Sequence, residues 1–399
     1  MRRPPATPAT LRSTSFRVTA VVAPGLEDPA AAELLALGAA EVRPLRRAVA
    51  CRTDLAGLYR LHLRARLPFR LLRQLAVFPC HDRDDLHAGV QAAADWPIWL
   101  PPERSFKVEA SGSLPGLNHS HYTALQVKNA LVDLQRQRWG ERSTVDLEDP
   151  DLCLHLHLSP GRPGQTPQAT LSVDGSGSSL HRRGYRAALG LAPLKENLAS
   201  GLIQLTGWDG SVPLADPLCG SGTLLIEAAR LALGRAPGLE RSFALERWPD
   251  FDHRLWRQEL EAARGLARER LADGRPLAPL LGMEHDPEVL AQARHNAEAA
   301  GVAPWIALQA GDCRDFQPPA DPGILVCNPP YGVRIGEPEA LEALYADLGT
   351  MVKERCHGWT LWLLSGNPQL TGALRMKASR RIPVSNGGID CRWLRYDIR

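Results

Sequence analysis

The chain has 399 residues, 44% of them hydrophobic and 23% charged, with 47 basic against 44 acidic side chains, which is enough length and apolar content for two or three globular domains. No apolar run reaches the roughly 18 residues of a membrane span, and the acid-free start MRRPPATPATLRSTSFR lacks the apolar segment of a secretory signal, so residues 1–15 read as a flexible tail. Eight cysteines without a C-x-x-C pair suggest neither a zinc ribbon nor a disulfide scaffold, and fit reduced thiols in a cytoplasm.

Charge is unevenly spread. Residues 1–75 carry 13 Arg, no Lys and 5 acids, a net +8, which leaves −5 for the rest; a basic end on a slightly acidic body suggests a surface that faces a polyanion. In that block FRVTAVV (16–22), AVACRT (48–53) and RLLRQLAVF (70–78) read as strands, and DPAAAELLAL (28–37) and DLAGLYRLHLRA (54–65) as helices. This is a small α+β pattern over 16–75. The second block predicts a helix over 84–93, a strand over 105–111, a helix from His121 to Trp139, and strands at DLCLHLHL and QATLSVD. Leucines 152, 154, 156 and 158 share one face of DLCLHLHL. His155 and His157 share the other, and with no third ligand at a recognisable spacing they read as a solvated face, not a metal pair. The small, polar DGSGSS (174–179) reads as a linker.

From Leu180 onward strand and helix alternate, the mark of a doubly wound sheet. SVPLADPLCGSGTLLIEAARLAL (211–233) is a strand, a glycine turn and a helix; Gly220 and Gly222 let a ligand approach the turn's backbone at a helix N-terminus. PLLGMEHDPEVLAQARHNAEAAG (279–301) is a second strand and helix with Glu284 at the strand's end, placed to accept from a ribose diol. IALQAGDCRDF (306–316) ends a third strand at Asp312, placed to accept from an adenine amino group. ILVCNPPYG (324–332) is a short buried strand stopped by two prolines. The prolines restrict the chain on both sides of them, so Asn328, its neighbouring carbonyls and the Tyr331 ring form an acceptor set beside a stacking surface, suited to a planar molecule with an in-plane NH2 group.

Glycine turn, ribose acid, adenine acid and amide-plus-aromatic recur in that order on successive strand ends. The chain here resembles the class I S-adenosylmethionine-dependent methyltransferases, among them those that methylate exocyclic amines through (Asn/Asp)-Pro-Pro-(Tyr/Phe). SLHRRGYR (179–186), APLKENLA (192–199), DPLCGSGTLLIEAA (216–229), NPPYGVRIG (328–336) and NGGIDCRWLRYDI (386–398), with APGLEDPAAAELLALGA (23–39) and HSHYTALQVKNALVD (119–133), narrow the resemblance to the RlmL-type THUMP-containing guanine-N2 RNA methyltransferases. That resemblance implies a ferredoxin-like domain over 16–75, a THUMP RNA-binding domain over 76–175 and a Rossmann-like methyltransferase domain over 176–399.

It also implies catalysis by Asn328, Pro329, Pro330 and Tyr331, and cofactor contacts from Asp216, Cys219, Gly220, Ser221, Gly222, Thr223, Glu284, His285, Asp312, Cys313 and Asn328. RNA contacts are expected from His181, Arg182, Arg183, Arg186 and Lys128, though the four around 181–186 equally fit a solvated basic turn. The expected donor is S-adenosylmethionine, the expected partner RNA, ribosomal ahead of transfer RNA, with no metal and no membrane. Glu284-His285 departs from the family's usual Asp followed by an aliphatic residue. A DNA adenine-N6 methyltransferase, a protein glutamine-N5 methyltransferase and a non-catalytic RNA-binding protein are the competing readings.

Overall fold

Pairing in the first 175 residues produces one seven-stranded sheet instead of two separate ones. The computed structural model describes residues 15–186, 194–319, 322–331 and 338–399; of the expected tail only Ser15 is among them. In chain order the first unit holds β1 (Phe16–Val21), α1 (Glu27–Ala36), β2 (Ala40–Leu45), β3 (Ala48–Thr53), α2 (Leu55–Arg64), β4 (Arg70–Pro79), α3 (Arg83–Ala92), α4 (Trp96–Trp99), β5 (Phe106–Gly112), α5 (Ser120–Trp139), β6 (Leu152–Ser159) and β7 (Gln168–Asp174). Its strands lie in the order β2-β3-β1-β4-β7-β6-β5. β4 is the join: Val18 faces Arg73 across β1, while Arg73 to Pro79 face Val173 to Gln168 across β7, with a bulge between Gln74 and Ala76. A boundary between residues 75 and 76 therefore falls inside a strand, because a bulged strand can turn from one partner to the next without leaving the sheet.

Three sequence expectations change in this unit. β2 was not foreseen: its side chains are almost all exposed and Pro44 sits in it, which an edge strand tolerates. The second face of β6 is solvated only in part: His157 is exposed, whereas Cys153 is buried and His155 half-buried, flanked in register by Glu109 of β5 and Ser172 of β7; burial pushes His155 down to about 4 and lowers His157. DGSGSS is not a free linker either. Asp174 accepts from Arg70 at 2.7 Å, the Ser176 hydroxyl accepts from the Leu71 amide at 2.9 Å, and Arg241 donates to the carbonyls of Ser176 and Ser178 at 2.9 and 2.6 Å.

The second unit holds α6 (Glu196–Thr206), β8 (Leu214–Asp216), α7 (Thr223–Ala232), α8 (His253–Ala272), β9 (Leu280–Glu284), α9 (Pro287–Ala299), β10 (Ile306–Ala310), β11 (Ile324–Cys327), α10 (Pro338–Arg355), β12 (Thr360–Ser365), α11 (Pro368–Ala373), β13 (Arg380–Asn386) and β14 (Ile389–Asp397). Its sheet runs β10-β9-β8-β11-β12-β14-β13, parallel except for β14 against β12 and β13. Apolar side chains cover both faces. Leu214, Val326, Trp362 and Trp393 pack on the side of α6 and α7, and Leu325, Leu361, Leu363 and Leu394 on the side of α10.

Residues 236–263 belong to the first core although they lie between α7 and β9. Ala236, Phe243, Leu245, Trp248 and Ala263 are buried with the N-terminal strands, and Glu259 on α8 takes both the Nε and Nη2 of Arg60 at 3.1 and 2.7 Å. All eight cysteines are buried, and none forms a disulfide. No helix among the described residues is long and apolar enough to cross a membrane.

Candidate active site

Strand order reverses between β8 and β11, and in an open α/β sheet the crevice at the carboxyl ends beside such a reversal is where ligands bind. Four of the sequence-selected loops leave the sheet there, after β8, β9, β10 and β11. The β8 loop turns through Gly220 and Gly222, with φ of 53° and 80°, in the left-handed region that disfavours side chains. A Cβ on Gly220 would meet no atom within 4 Å, so the backbone there is open to a ligand. Gly222 stands at the start of α7 without a side-chain cap, leaving that helix N-terminus free to face an anionic group.

Glu284, 8% exposed at the end of β9, ties the crevice together. Its Oε2 accepts the Gly220 amide at 3.1 Å, its Oε1 accepts the Asp286 amide at 3.0 Å, and His285 Nδ1 lies 2.9 Å from Oε1. His285 itself points outward with its side chain 75% exposed. Asp286 caps α9 by accepting the Glu288 and Val289 amides. Asp216 is buried and accepts the Leu218 amide at 3.1 Å; burial, with Glu284 nearby, pushes its carboxyl up to about 8. Cys219 and Cys313 are buried, Ser221 gives its carbonyl to Asn296 Nδ2 at 3.1 Å, and Thr223 is the first residue of α7.

Asp312, two residues beyond β10, is half-exposed, but both carboxylate oxygens are already occupied by Arg314: Nε and the backbone amide reach Oδ1 at 2.9 Å and Nη2 reaches Oδ2 at 2.8 Å. Hydrogen bonds from that arginine hold the acid down at about 2. An adenine amino group must share or displace this pair, a competitor that the sequence reading did not foresee. Asn328 follows β11 directly. Its Oδ1 is buried and has no hydrogen-bond partner among the described residues. Because a buried acceptor without a donor costs about 1–3 kcal/mol, this oxygen is set up for a donor that none of the described residues supplies. Pro329 is buried, Pro330 and Tyr331 half-buried.

The expected RNA contacts divide sharply. Arg183 is fully buried, donating to the carbonyls of Leu180 and Arg66 at 3.0 and 2.6 Å, 3.7 Å from Glu227. A guanidinium so enclosed holds the two units together and is not available to a phosphate. Arg186 donates to Thr223 Oγ1 at 2.5 Å and the Leu194 carbonyl at 2.7 Å and pairs with Glu196 at 3.4 Å, so it braces the start of α7. His181 is half-buried and pushed down to about 4 by burial, hence neutral near pH 7. Arg182 is exposed, and Lys128 lies half-exposed on α5, in the other unit.

If Glu284 clamps the ribose, Glu284→Ala removes two charge-assisted hydrogen bonds made equally in ground and transition states. Calorimetry should show cofactor affinity falling roughly tenfold to a hundredfold, with turnover at saturating cofactor changing less; unaltered affinity would take the ribose away from this side chain.

Comparison with known proteins adds to this geometry. Residues 183–395 match the RMKL-like methyltransferase domain, 80–163 the THUMP domain and 17–72 the RlmL ferredoxin-like domain. A Synechocystis protein named as an RNA methyltransferase is 45% identical over 95% of this chain and 96% of its own length. The ribosomal RNA large subunit methyltransferase K/L of Pseudomonas paraeruginosa is 39% identical over 94% of this chain, which spans only about half, 51%, of that longer protein. The crystal structure of SMU.472, solved with SAH bound, superposes with a TM-score of 0.84 at 26% identity, covering 97% of this chain and 99% of the other.

Proposed function

The chain belongs to the THUMP-containing, RMKL-like family of methyltransferases, and from that premise we propose that it methylates the exocyclic N2 amine of a guanosine in RNA, with 23S ribosomal RNA as the substrate. The observation that carries the choice of an amine is the buried Asn328 Oδ1, which has no partner among the described residues, three positions before the half-buried Tyr331. S-adenosylmethionine supplies a methyl group made electrophilic by its sulfonium.

The residues present fit that donor: an open glycine turn, a helix N-terminus and Glu284 at a strand end. A guanine N2 lone pair is delocalised into the ring and attacks poorly until the amine is bent out of plane. Asn328 Oδ1 and the Pro329 carbonyl accept its two hydrogens and favour the pyramidal form, a stabilisation that grows toward the transition state. Tyr331 stacks on the purine, worth about 1–3 kcal/mol. Its phenol is pushed up by burial and stays protonated near neutrality, and an amide has no basic site. The proton therefore leaves after transfer, to water or a carbonyl. Since the N2 edge is closed off in a stacked helix, the base must be unpaired or turned out.

Incubating total RNA with labelled cofactor, digesting to nucleosides and resolving them by mass spectrometry tests the assignment. Label in N2-methylguanosine supports it, whereas label in N6-methyladenosine transfers the site to adenine.

Among the arginines of the basic N-terminal block, Arg60 is held by Glu259, Arg66 is buried against the carbonyls of Arg230 and Arg235 and Arg64 is half-buried, whereas Arg43, Arg46 and Arg47 are exposed on β2 and its turn into β3. Changing these three to Glu should weaken RNA binding and flatten its log–log salt dependence by up to about 2, at roughly 0.7 per single-strand phosphate contact. Turnover at saturating RNA should hold, because phosphate contacts position the substrate without reading the base. A filter-binding titration with an unchanged slope would remove this hairpin from the RNA surface.

A further inference from the structure

β13 and β14 are joined by Gly387 and Gly388, with φ of 61° and 89°, a two-residue primed turn that suits the twist of the strands on either side and pairs Asn386 with Ile389. The register places Asn386 and Cys391 on one face of the hairpin, since Val384 pairs with Cys391 and alternate residues share a face. Both reach the tip of the same ring. Asn386 Nδ2 lies 2.7 Å from Tyr331 Oη, and Cys391 Sγ lies 3.6 Å from it. The hairpin is itself held from outside: the Ser385 amide donates to the Pro24 carbonyl at 3.1 Å, and the chain at Gly25 lies so close that a Cβ there would stand 2.0 Å from the Pro383 carbonyl oxygen. Tyr331 is thus fixed at two ends, by the proline pair behind it and by a side chain 55 residues away at its hydroxyl.

We propose that Asn386 is a positioning residue for methyl transfer, holding the Tyr331 hydroxyl so that the ring presents one fixed plane to the base stacked on it. The inference rests on the stacking role given to Tyr331 above. Prolines restrain the backbone but leave the ring's own torsions, and the terminal torsion of an aromatic side chain is broad. A donor at the far end of the ring removes the swing that those torsions allow. The plane matters because the target amine and the methyl group must meet in line, where a displacement of about 1 Å costs on the order of a hundredfold in rate. Cys391 contributes a second, weaker donor to the same oxygen.

The test is a double-mutant cycle on the full chain, with methyl transfer from labelled cofactor to saturating total RNA as the readout and cofactor binding by calorimetry as the check on folding. Tyr331→Phe keeps the ring and loses the hydroxyl; Asn386→Leu keeps the volume and loses the donor. Each should lower kcat roughly tenfold or more with cofactor affinity held within about twofold, and the double variant should be no slower than Tyr331→Phe alone, because losing the hydroxyl already removes the contact that Asn386→Leu breaks. Effects that multiply would mean that Asn386 acts by another route. If Asn386→Leu fails to fold, Tyr331→Phe alone decides, since wild-type kcat in that variant overturns the tether. Tyr331→Ala separates the two levels: full turnover there discards the stacking role itself, whereas an inactive Tyr331→Ala beside a wild-type Tyr331→Phe discards only the part played by Asn386.

Discussion

Replacing Asn328 by alanine is expected to lower turnover by about a hundredfold or more while leaving cofactor affinity nearly unchanged. Loss of one preorganised hydrogen-bonding group at a developing charge typically costs that much, and the side chain is well placed for it, immediately after β11 with a buried Oδ1 that has no partner among the described residues. Most of this stabilisation belongs to the transition state, because the amine's N–H groups become stronger donors as positive charge develops on the attacking nitrogen. The loss should therefore appear in kcat and kcat/KM alike. Asn328→Asp, which keeps an acceptor, should retain more activity than Asn328→Ala. Single-turnover measurements check this directly, and a near-normal rate in the alanine variant would remove Asn328 from the chemistry.

Arg183→Ala should be the most destabilising of the substitutions considered, at about 3–5 kcal/mol, the usual cost of removing one partner from a buried ion pair. Glu227 is completely buried, accepts from Tyr185 at 3.1 Å and has Arg183 within 3.7 Å. Without that guanidinium the Arg66 carbonyl also loses a donor at 2.6 Å. The neighbouring Arg182→Ala, at an exposed position, should change stability by no more than about 0.5 kcal/mol. Chemical denaturation of the two variants side by side is the measurement. Equal stability, with RNA binding impaired in Arg183→Ala, would return this residue to the RNA surface. For the same reason a segment cut at residue 176 would leave Glu227, Arg183 and Arg230 without the cover that Arg66 and its loop provide, so a loss of RNA methylation in it would not isolate the contribution of the N-terminal unit.

Which residues meet at a strand's end is a local matter, and local matters were legible. LADPLCGSG, MEHDP, AGDCRD and VCNPPY each carry their own strand, their own stop and their own polar side chain within a few residues. Hydrophobic runs bounded by Gly, Pro or Asp therefore located all four site loops. That the four loops belong to one sheet was read from the alternation of strand and helix after Leu180, and in the structure they leave β8, β9, β10 and β11.

What covers a side chain is not local, and there tertiary structure decided. Periodicity marks the apolar face of an element but not its partner. So the alternation in β6 could not tell that Cys153 would be buried and His155 half-buried on its second face while His157 stays exposed, nor the run RLLRQLAVF that one bulged strand would serve two partners. HRRGYR shows four basic side chains in six positions, yet Arg183 ends on buried carbonyls, Arg186 on the start of α7 and Arg182 at the surface. An arginine's identity fixes its charge and its five donors, and only the packed chain determines whether those donors meet carbonyls, a carboxylate or water. Tyr331 and Asn386, far apart in sequence, share one hydrogen bond because β11 and the β13–β14 hairpin end at the same edge of the sheet, a proximity that no pattern within either segment records.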